Sequence, residues 1–331
     1  MDREKVLNFL KGVGGDDDLF QAADRVRKSR CGDDVHMRGI IEFSSYCCRN
    51  CLYCGLRRDN TSLPRFRMEE DEIVRRAREI ASFGVRTIVL QSGDDFHYTR
   101  AGICRIIERI RQNDDVAVTL SLGERPYDDY RDFRAAGADR YLLKHETGNG
   151  ELYRRLHPGR TLEERIRRLY FLRETGYQIG AGNIVGLPGQ TYEDLCDDIS
   201  LLEKMDPDML SIGLFIPQHD TPLSNYPHGD LPTALRTLAL ARIVTRDSHM
   251  PVTTAIATAD PRRGLVRGLL AGANVIMPDF TPTLYRERYA IYDGKAQIML
   301  ERAKEAVCET GRRISENRGD SLKRDRPPEA D

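Results

Sequence analysis

The sequence has no excess of charge of either sign, because its 331 residues include 51 Lys and Arg against 52 Asp and Glu. It therefore lacks the positive field with which a general nucleic-acid binder holds a polyanion, and we expect no nucleic-acid partner. No apolar run approaches the roughly 18–20 residues that cross a bilayer, and the start, MDREKVLNFLKG, shows no basic and apolar signal segment. We therefore expect a cytoplasmic protein without a membrane partner.

What the sequence does contain is a regular alternation of short β-branched runs and longer helical patterns. The helical patterns include 68–84, 99–112 and 127–136. The eight predicted strands are 38–45, 86–93, 116–123, 140–147, 178–186, 208–217, 251–259 and 273–280. Eight consecutive βα units of even spacing predict an α/β protein with a complete (βα)8 TIM barrel, although an open doubly wound sheet uses the same local signals.

The predicted domain organisation has three parts. Residues 1–37 form an N-terminal helical cap, 38–308 form the barrel, and 309–331 are a charged tail without a core pattern, which we expect to be disordered. Four glycines, Gly84, Gly137, Gly176 and Gly272, directly follow helical patterns. We expect them to end these helices with positive φ, a backbone conformation that glycine adopts without a Cβ clash.

Half of the eight cysteines lie in one short segment, SSYCCRNCLYCGLRRDN. Cys47, Cys51 and Cys54 have the spacing C-x3-C-x2-C, with which three thiolates can hold three irons of a cubane and leave the fourth iron open for a small molecule. The alternative is a structural zinc site made of all four thiolates, but such sites usually draw on two separated pairs. We interpret Cys48 as a bystander. In a barrel this segment follows the first strand, at the end where catalytic loops lie.

These residues resemble the radical S-adenosylmethionine (SAM) superfamily. The resemblance is closest to the HydE-type maturases of iron-iron hydrogenase, in the biotin-synthase-like branch. It covers roughly residues 20–300 and is carried by IIEFSSYC, NCLYCGLRRDN, TIVLQSG, AVTLSLGE, GADRYLLKHET, VGLPGQT, FIPQHDTPL, PVTTA and GANVIMP.

The resemblance implies an oxygen-sensitive enzyme with two cofactors, a 4Fe-4S cluster and SAM, which is cleaved reductively to a 5′-deoxyadenosyl radical. It further implies a small substrate, an iron-bound cysteine complex carrying CO and cyanide, in the assembly of the hydrogenase di-iron subsite. The implied partners are an electron donor such as a flavodoxin or ferredoxin and other maturation proteins.

Site residues are carried over from the family position by position. The cluster ligands are Cys47, Cys51 and Cys54, and no further residue is assigned a catalytic role. The residues expected to bind SAM lie beside the last cysteine, at three strand ends and on one helix; they are Tyr53, Gln91, Ser92, Gly93, Asp94, Ser121, Glu146 and Arg165. Arg165 is expected to pair with the methionyl carboxylate as a bidentate donor; the alternative is an ordinary salt bridge between Glu146 and Arg165.

The substrate cavity is expected to involve Lys144, Thr253, Thr254 and Met277, on strands whose alternate side chains point inward. Three departures from the family pattern bear on the substrate. The C-terminal region offers only Cys308, so no second cluster is expected. Lys144 stands where a relative has arginine, which replaces a planar fork by a point charge. Ile184 stands where a relative has methionine.

Two other functions stay open at this stage. One is a related radical SAM mutase or lyase, similar to methylornithine synthase, or a paralogue of the maturase with a different substrate. The other is a metal-binding scaffold that keeps the barrel and the cysteines but has no turnover.

Overall fold

A computed structural model describes residues 1–323 of the chain. Its helices are α1 Arg3–Leu10, α2 Asp16–Cys31, α3 Glu70–Ser82, α4 Arg100–Arg111, α5 Tyr127–Ala135, α6 Gly150–Leu156, α7 Leu162–Glu174, α8 Tyr192–Met205, α9 Leu231–Thr245, α10 Thr254–Ala259, α11 Gly264–Leu270, α12 Thr283–Arg286 and α13 Leu300–Glu309. Its strands are β1 Asp34–Met37, β2 Gly39–Ser44, β3 Thr87–Ser92, β4 Ala117–Ser121, β5 Arg140–Leu142, β6 Gln178–Ala181, β7 Ile184–Val185, β8 Met209–Leu210, β9 Gly213–Leu214, β10 Pro251–Val252, β11 Val275–Ile276 and β12 Arg313–Ile314.

The α/β class is confirmed, and its centre is a parallel sheet of six strands in the order β2-β3-β4-β5-β6-β8. A second parallel sheet has the order β10-β11-β1-β12, and β7 pairs with β9. Two isolated parallel bridges, Ile40 with Asp279 and Met209 with His249, connect residues of the first sheet to the segments that follow β11 and precede β10.

Local signals in the sequence explain the helices that cover the sheet. In α3, buried Ile73, Val74, Ala77 and Ile80 recur at helical spacing and form the face that packs inward. In α8, the Thr191 side chain and the Asp194 side chain cap the first turn reciprocally. The four glycines expected to end helices all have positive φ, between 78° and 111°.

The structure differs from the predicted segments at two places. The cap predicted for residues 1–37 contains α1 and α2, but Asp34–Met37 already forms β1, which pairs with β11. The strand predicted for 251–259 ends at Val252, and Thr254–Ala259 is helical. The alanines of TAIATA favour a helix, and the Thr258 hydroxyl donates to the Thr254 carbonyl at 2.8 Å, one helical turn back.

The segment predicted as a disordered tail is also different from expectation up to residue 323. There, β12 pairs in parallel with β1, and the following residues cross the amino-terminal ends of the sheet strands. The fully buried Arg140 side chain donates to the carbonyls of Arg318 and Gly319, both at 2.8 Å, and to Asp320 at 2.9 Å. A charged segment is ordered here because a buried cation needs these acceptors. Residues 324–331 lie outside the described residues.

Polar residues gather at the carboxyl-terminal ends of the strands. The carboxyl ends of β2, β3 and β4 lie side by side, since Glu42 is level with Gln91, and Gln91 with Ser121. The segments after these strands therefore meet at one face of the fold. Among residues 1–323, no helix is long and apolar enough to cross a membrane.

Candidate active site

The cysteine segment directly follows β2 and is held in place by main-chain hydrogen bonds from three sides. The Cys48 N–H donates to the Asp94 carbonyl at 3.0 Å, next to the end of β3. The Leu52 N–H donates to the Leu156 carbonyl at 2.9 Å, at the end of α6, and the Gly55 N–H donates to the Ile291 carbonyl at 2.9 Å. The loop thus connects three distant parts of the chain.

The structure brings three of the four cysteines together. The Cys51 thiol lies close enough to interact electrostatically with those of Cys47 and Cys54, and Cys47 interacts with Cys54. Cys48 is exposed, and its charged neighbours are Arg49, Asp94 and Arg58. The grouping of thiols therefore follows the C-x3-C-x2-C spacing and leaves Cys48 aside.

The surroundings of these thiols fit iron-bound thiolates. Burial raises the pKa of Cys47 to about 12, that of Cys54 to about 11 and that of Cys51 well above its usual value, and neighbouring thiols contribute to the rise at Cys47 and Cys51. Three thiolates can therefore exist together here only with a cationic partner, which a bound metal provides. The Cys47 sulfur already accepts the backbone N–H groups of Arg49 and Asp94, both at 3.4 Å.

These thiols do not converge on a single point, since within residues 1–323 no three His, Cys, Asp or Glu side chains are placed to hold one metal ion. A zinc site would need four ligands on one ion. A cubane instead takes one thiolate at each of three irons, which is the kind of donor set that Cys47, Cys51 and Cys54 present.

Gly93, directly after β3, lies against the cysteine loop. A Cβ at this position would lie 2.3 Å from the Tyr46 carbonyl oxygen and 2.7 Å from Cys47 Cβ. Only glycine allows this contact. Of its predicted companions, Ser92 donates its hydroxyl to the Gly93 carbonyl at 2.7 Å, and Gln91 lies beside Tyr289.

The Asp94 side chain is already occupied by protein groups. It accepts from Arg49 Nε at 2.5 Å and from the Glu124 N–H at 3.1 Å. Burial raises its pKa, while Arg49 opposes the shift. In this structure, Asp94 fixes the cysteine loop to the segment after β4.

Arg165 on α7 pairs with a residue that sequence reasoning missed. Its Nε donates to Glu124 Oε1 at 2.8 Å, and its Nη1 donates to the Lys144 carbonyl at 2.7 Å. Glu124 is buried, and Arg49, Arg160 and Arg168 also lie within 3.5–3.7 Å of its carboxylate. Its position directly after β4, in SLGE, was an available signal.

Glu146 pairs with Lys144 and not with Arg165, so the predicted alternative of a salt bridge between Glu146 and Arg165 is not observed. The distance from Lys144 Nζ to Glu146 Oε2 is 3.0 Å. Burial alone would raise the pKa of Glu146, but Lys144 holds it below its usual value. Glu146 also has a φ of 67°, a conformation that costs a non-glycine residue energy and is found mainly where the surroundings enforce it.

Tyr53 is anchored through its hydroxyl, which lies 2.9 Å from His157 Nε2. His157 Nδ1 lies 2.9 Å from the Tyr153 carbonyl, so Nδ1 carries the proton and Nε2 accepts from Tyr53. Burial lowers the pKa of His157 to about 4, which keeps this ring neutral. Leu52 and Tyr53 also pack on a small separate core of Leu152, Leu156, Leu187, Phe215 and Leu223.

The predicted substrate residues differ in their surroundings. Met277 lines a small cavity of about 20 Å³ with Arg38, Val89, Thr119 and Leu142. The Thr253 hydroxyl donates to the Ile212 carbonyl at 3.0 Å, and Thr254 begins α10 and does not lie on a strand.

A buried ion pair in the interior was not predicted. Lys295 Nζ donates to Glu42 Oε2 at 2.7 Å, and burial raises the pKa of Glu42 to about 7. Glu42 lies within the apolar run GIIEFS, where periodicity gives no sign of a partner that lies 253 residues away.

Comparison with known proteins places this geometry in a family. Residues 41–202, which include the cysteine loop, match the profile of the radical SAM superfamily. The chain is 52% identical to the FeFe hydrogenase maturase subunit HydE of Thermotoga maritima over 295 residues, which cover 89% of this chain and 83% of that protein. It is 26% identical to the 3-methylornithine synthase of Methanosarcina acetivorans over 277 residues, 83% of this chain and 78% of that protein.

Among solved structures, the fold is similar to that of methylornithine synthase (PylB), with a TM-score of 0.85 at 22% identity over 95% of this chain and 94% of that one. This similarity concerns the fold alone. The superfamily profile and the 52% identity over most of both sequences show that the chain is a radical SAM enzyme and belongs to the HydE family.

Proposed function

We propose that this enzyme uses Cys47, Cys51 and Cys54 to hold its cluster, cleaves SAM reductively and acts on a small iron- and sulfur-containing substrate in the assembly of a hydrogenase di-iron subsite. Radical SAM enzymes use a 4Fe-4S cluster and SAM. When bound and reduced, the cluster supplies the electron that cleaves SAM to a 5′-deoxyadenosyl radical. The observation that carries the ligand assignment is the grouping of three partly buried thiols beside β3, with Cys48 exposed.

The proposed SAM site lies between the loop and the ends of the neighbouring strands. Gly93 lets the backbone approach closely, and Ser121 ends β4 beside Gln91. Arg165 would meet the methionyl carboxylate with the part of its guanidinium that Glu124 and the Lys144 carbonyl leave open. Glu146 supplies a carboxylate for an amino or hydroxyl group.

The proposed substrate lies deeper, towards Lys144, Thr253, Thr254 and Met277. The small cavity that Met277 lines supports this position for the substrate. Lys144 Nζ would lie 3.0 Å from a Cβ placed on Gly213, so β9 closely borders the ammonium group. The hydrogenase subsite as the destination rests on the similarity to the Thermotoga maritima protein, and the relatives at 26% and 22% identity add no observation in favour of a mutase or lyase.

The enzyme needs a small substrate and an electron donor. We propose a flavodoxin or ferredoxin as the donor, other maturation proteins as further partners, and the cytoplasm as the compartment. A reducing compartment suits eight cysteines of which none forms a disulfide among residues 1–323.

We also propose that the strands form one closed (βα)8 barrel and that residues 1–37, 38–308 and 309–331 are its cap, body and tail. The two isolated bridges support closure, because Met209 with His249 connects β8 to β10 and Ile40 with Asp279 connects β2 to β11. Closure is also supported by β1, because β1 leads directly into β2 and pairs with β11.

The test is anaerobic reconstitution with iron and sulfide, followed by electron paramagnetic resonance of the dithionite-reduced protein with and without SAM, and by chromatography for 5′-deoxyadenosine. We expect a reduced-cubane signal that changes when SAM is added, together with the nucleoside. Cys51→Ala should abolish both, and the matched variant Cys48→Ala should keep both. Equal loss in the two variants contradicts the ligand assignment, and a zinc-loaded protein without a SAM effect contradicts the function.

A further inference from the structure

Arg65 lies outside every motif of the sequence, yet its side chain spans the loop that carries the cysteines. Its guanidinium donates to the carbonyls of Leu56 at 2.9 Å, Arg57 at 2.8 Å and Asn60 at 2.9 Å. It also donates to the Ser45 carbonyl, at the other end of the loop. One planar fork therefore fastens both ends of the segment between residues 45 and 60, which a point charge on a flexible stem does not reproduce.

The charge of Arg65 has no carboxylate partner among residues 1–323. The charged or ionisable groups that act on it are the thiols of Cys47 and Cys54 and the Tyr46 hydroxyl. Neighbouring arginines are different: Arg67 pairs with Asp95 at 2.7 Å, and Arg58 in the same loop pairs with Asp59 at 3.0 Å. Arg65 therefore acts electrostatically on two of the three thiols, and no ion pair within residues 1–323 neutralises its charge.

We propose that Arg65 is a positioning residue of the cluster site with two separable effects: its fork orders the loop, and its charge raises the reduction potential of the cluster. This inference rests on the proposed function, because it requires a cluster on Cys47, Cys51 and Cys54. Reduction adds one electron, taken from dithionite or from the electron donor, to a cluster that already carries three thiolates. A fixed positive charge nearby favours the more negative, reduced state.

Two substitutions separate these effects. Arg65→Lys keeps a positive charge without the planar fork, whereas Arg65→Gln keeps an amide donor without the charge. Arg58→Gln is the matched control, because it removes a positive charge from the same loop that is exposed and paired with Asp59.

The first readout is a redox titration of the reconstituted protein, followed by electron paramagnetic resonance. Unit charges about 10 Å apart at an effective dielectric constant of about 20 change an equilibrium constant roughly tenfold. We therefore expect Arg65→Gln to lower the equilibrium constant for cluster reduction about tenfold, which is about 59 mV for a one-electron couple. We expect Arg65→Lys to stay close to the unsubstituted enzyme and Arg58→Gln to leave the potential unchanged.

The second readout is amide hydrogen exchange of residues 45–60 in the metal-free protein, which requires no cluster. We expect several-fold faster exchange in both Arg65 variants, because they lose the fork that holds four carbonyls. We expect the exchange rate to be unchanged in Arg58→Gln.

An unchanged potential in Arg65→Gln overturns the electrostatic effect. An equal fall in Arg65→Gln and Arg65→Lys overturns it as well, since the fall then follows the disorder of the loop. Unchanged exchange in both variants overturns the positioning effect. If the unsubstituted protein assembles no cluster, the proposed function fails instead, and the exchange experiment still decides whether Arg65 orders the loop.

Discussion

Replacing Arg140 with Met is the most direct test of the contacts that fasten residues 318–320 across the amino-terminal ends of the strands. The Arg140 side chain is fully buried and makes five hydrogen bonds, of which three go to this segment. Met fills a similar volume but donates nothing. The carbonyls of Arg318 and Gly319 and the Asp320 carboxylate would then each lose the donor that Arg140 supplies.

Removing one side of a buried, charge-assisted group costs about 3–5 kcal/mol, because the acceptors on the other side stay desolvated. A chain of 331 residues has an unfolding entropy of about 0.7 kcal/mol/K near its midpoint, so a loss of about 4 kcal/mol lowers Tm by about 6 °C. Replacing a whole buried ion pair by apolar groups often leaves the free energy of unfolding unchanged. That case does not apply to Arg140→Met, because the acceptors are retained.

Thermal unfolding of the anaerobically purified enzyme measures this effect. The iron content of the variant shows whether the cysteine loop at the other end of the strands is intact. Arg109→Met is the matched control, because Arg109 pairs with Asp71 at 2.8 Å but is 39% exposed. We expect the control to stay within about 0.5 kcal/mol. A Tm of Arg140→Met within 1–2 °C of the unsubstituted enzyme would refute the argument that these contacts hold the segment.

Three further predictions concern the site. Gly93→Ala should reduce the iron bound per chain several-fold on reconstitution, because its Cβ would meet the Tyr46 carbonyl at 2.3 Å; full iron loading would show that the loop yields without cost. His145→Gln should flatten the pH dependence of the free energy of unfolding, because burial lowers the pKa of His145 to about 3. The stability that the neutral His145 contributes is fully present above about pH 6.5, and it is lost at about 1.4 kcal/mol per pH unit as the pH falls towards 3. Urea unfolding at pH 7 and at pH 5 measures this difference. Glu124→Gln should lower the free energy of unfolding in guanidinium chloride by about 3–5 kcal/mol, since it leaves Arg165 without its buried counter-charge; a change below 1 kcal/mol would show that solvent compensates.

The sequence was informative where a feature depends on residues close together in the chain. The cysteine spacing predicted which three thiols group together, because a loop of eight residues leaves few arrangements. The helix-ending glycines were predicted for the same reason, since φ is a local property. Thr254 was wrongly placed on a strand because the β-branched pattern of PVTT continues into alanines that favour a helix, and a short run of this kind is ambiguous.

Ion-pair partners could not be predicted, because they depend on how distant elements are rotated against each other. Lys144 and Glu146 are two residues apart and form an ion pair, and Glu146 adopts a positive φ of which the sequence gives no sign. The order of the segment at 318–320 was missed for a related reason. Arginine is rarely fully buried, so nothing in the sequence marked Arg140 as an interior cation that requires acceptors from the C-terminal region.

The cysteine loop illustrates why the proposed ligands of a site are easier to recognise in a sequence than the residues that support them. The proposed cluster ligands are cysteines, and their spacing is visible in the sequence. The supports act mainly on the backbone: carbonyls of the loop accept from Arg65, the Leu52 amide donates to Leu156, and Gly93 provides space. Backbone donors and acceptors are the same in every residue type except proline, which lacks the N–H. A loop held in this way keeps its geometry while most of its side chains change, and the supports are therefore recognised only when the three-dimensional arrangement is known.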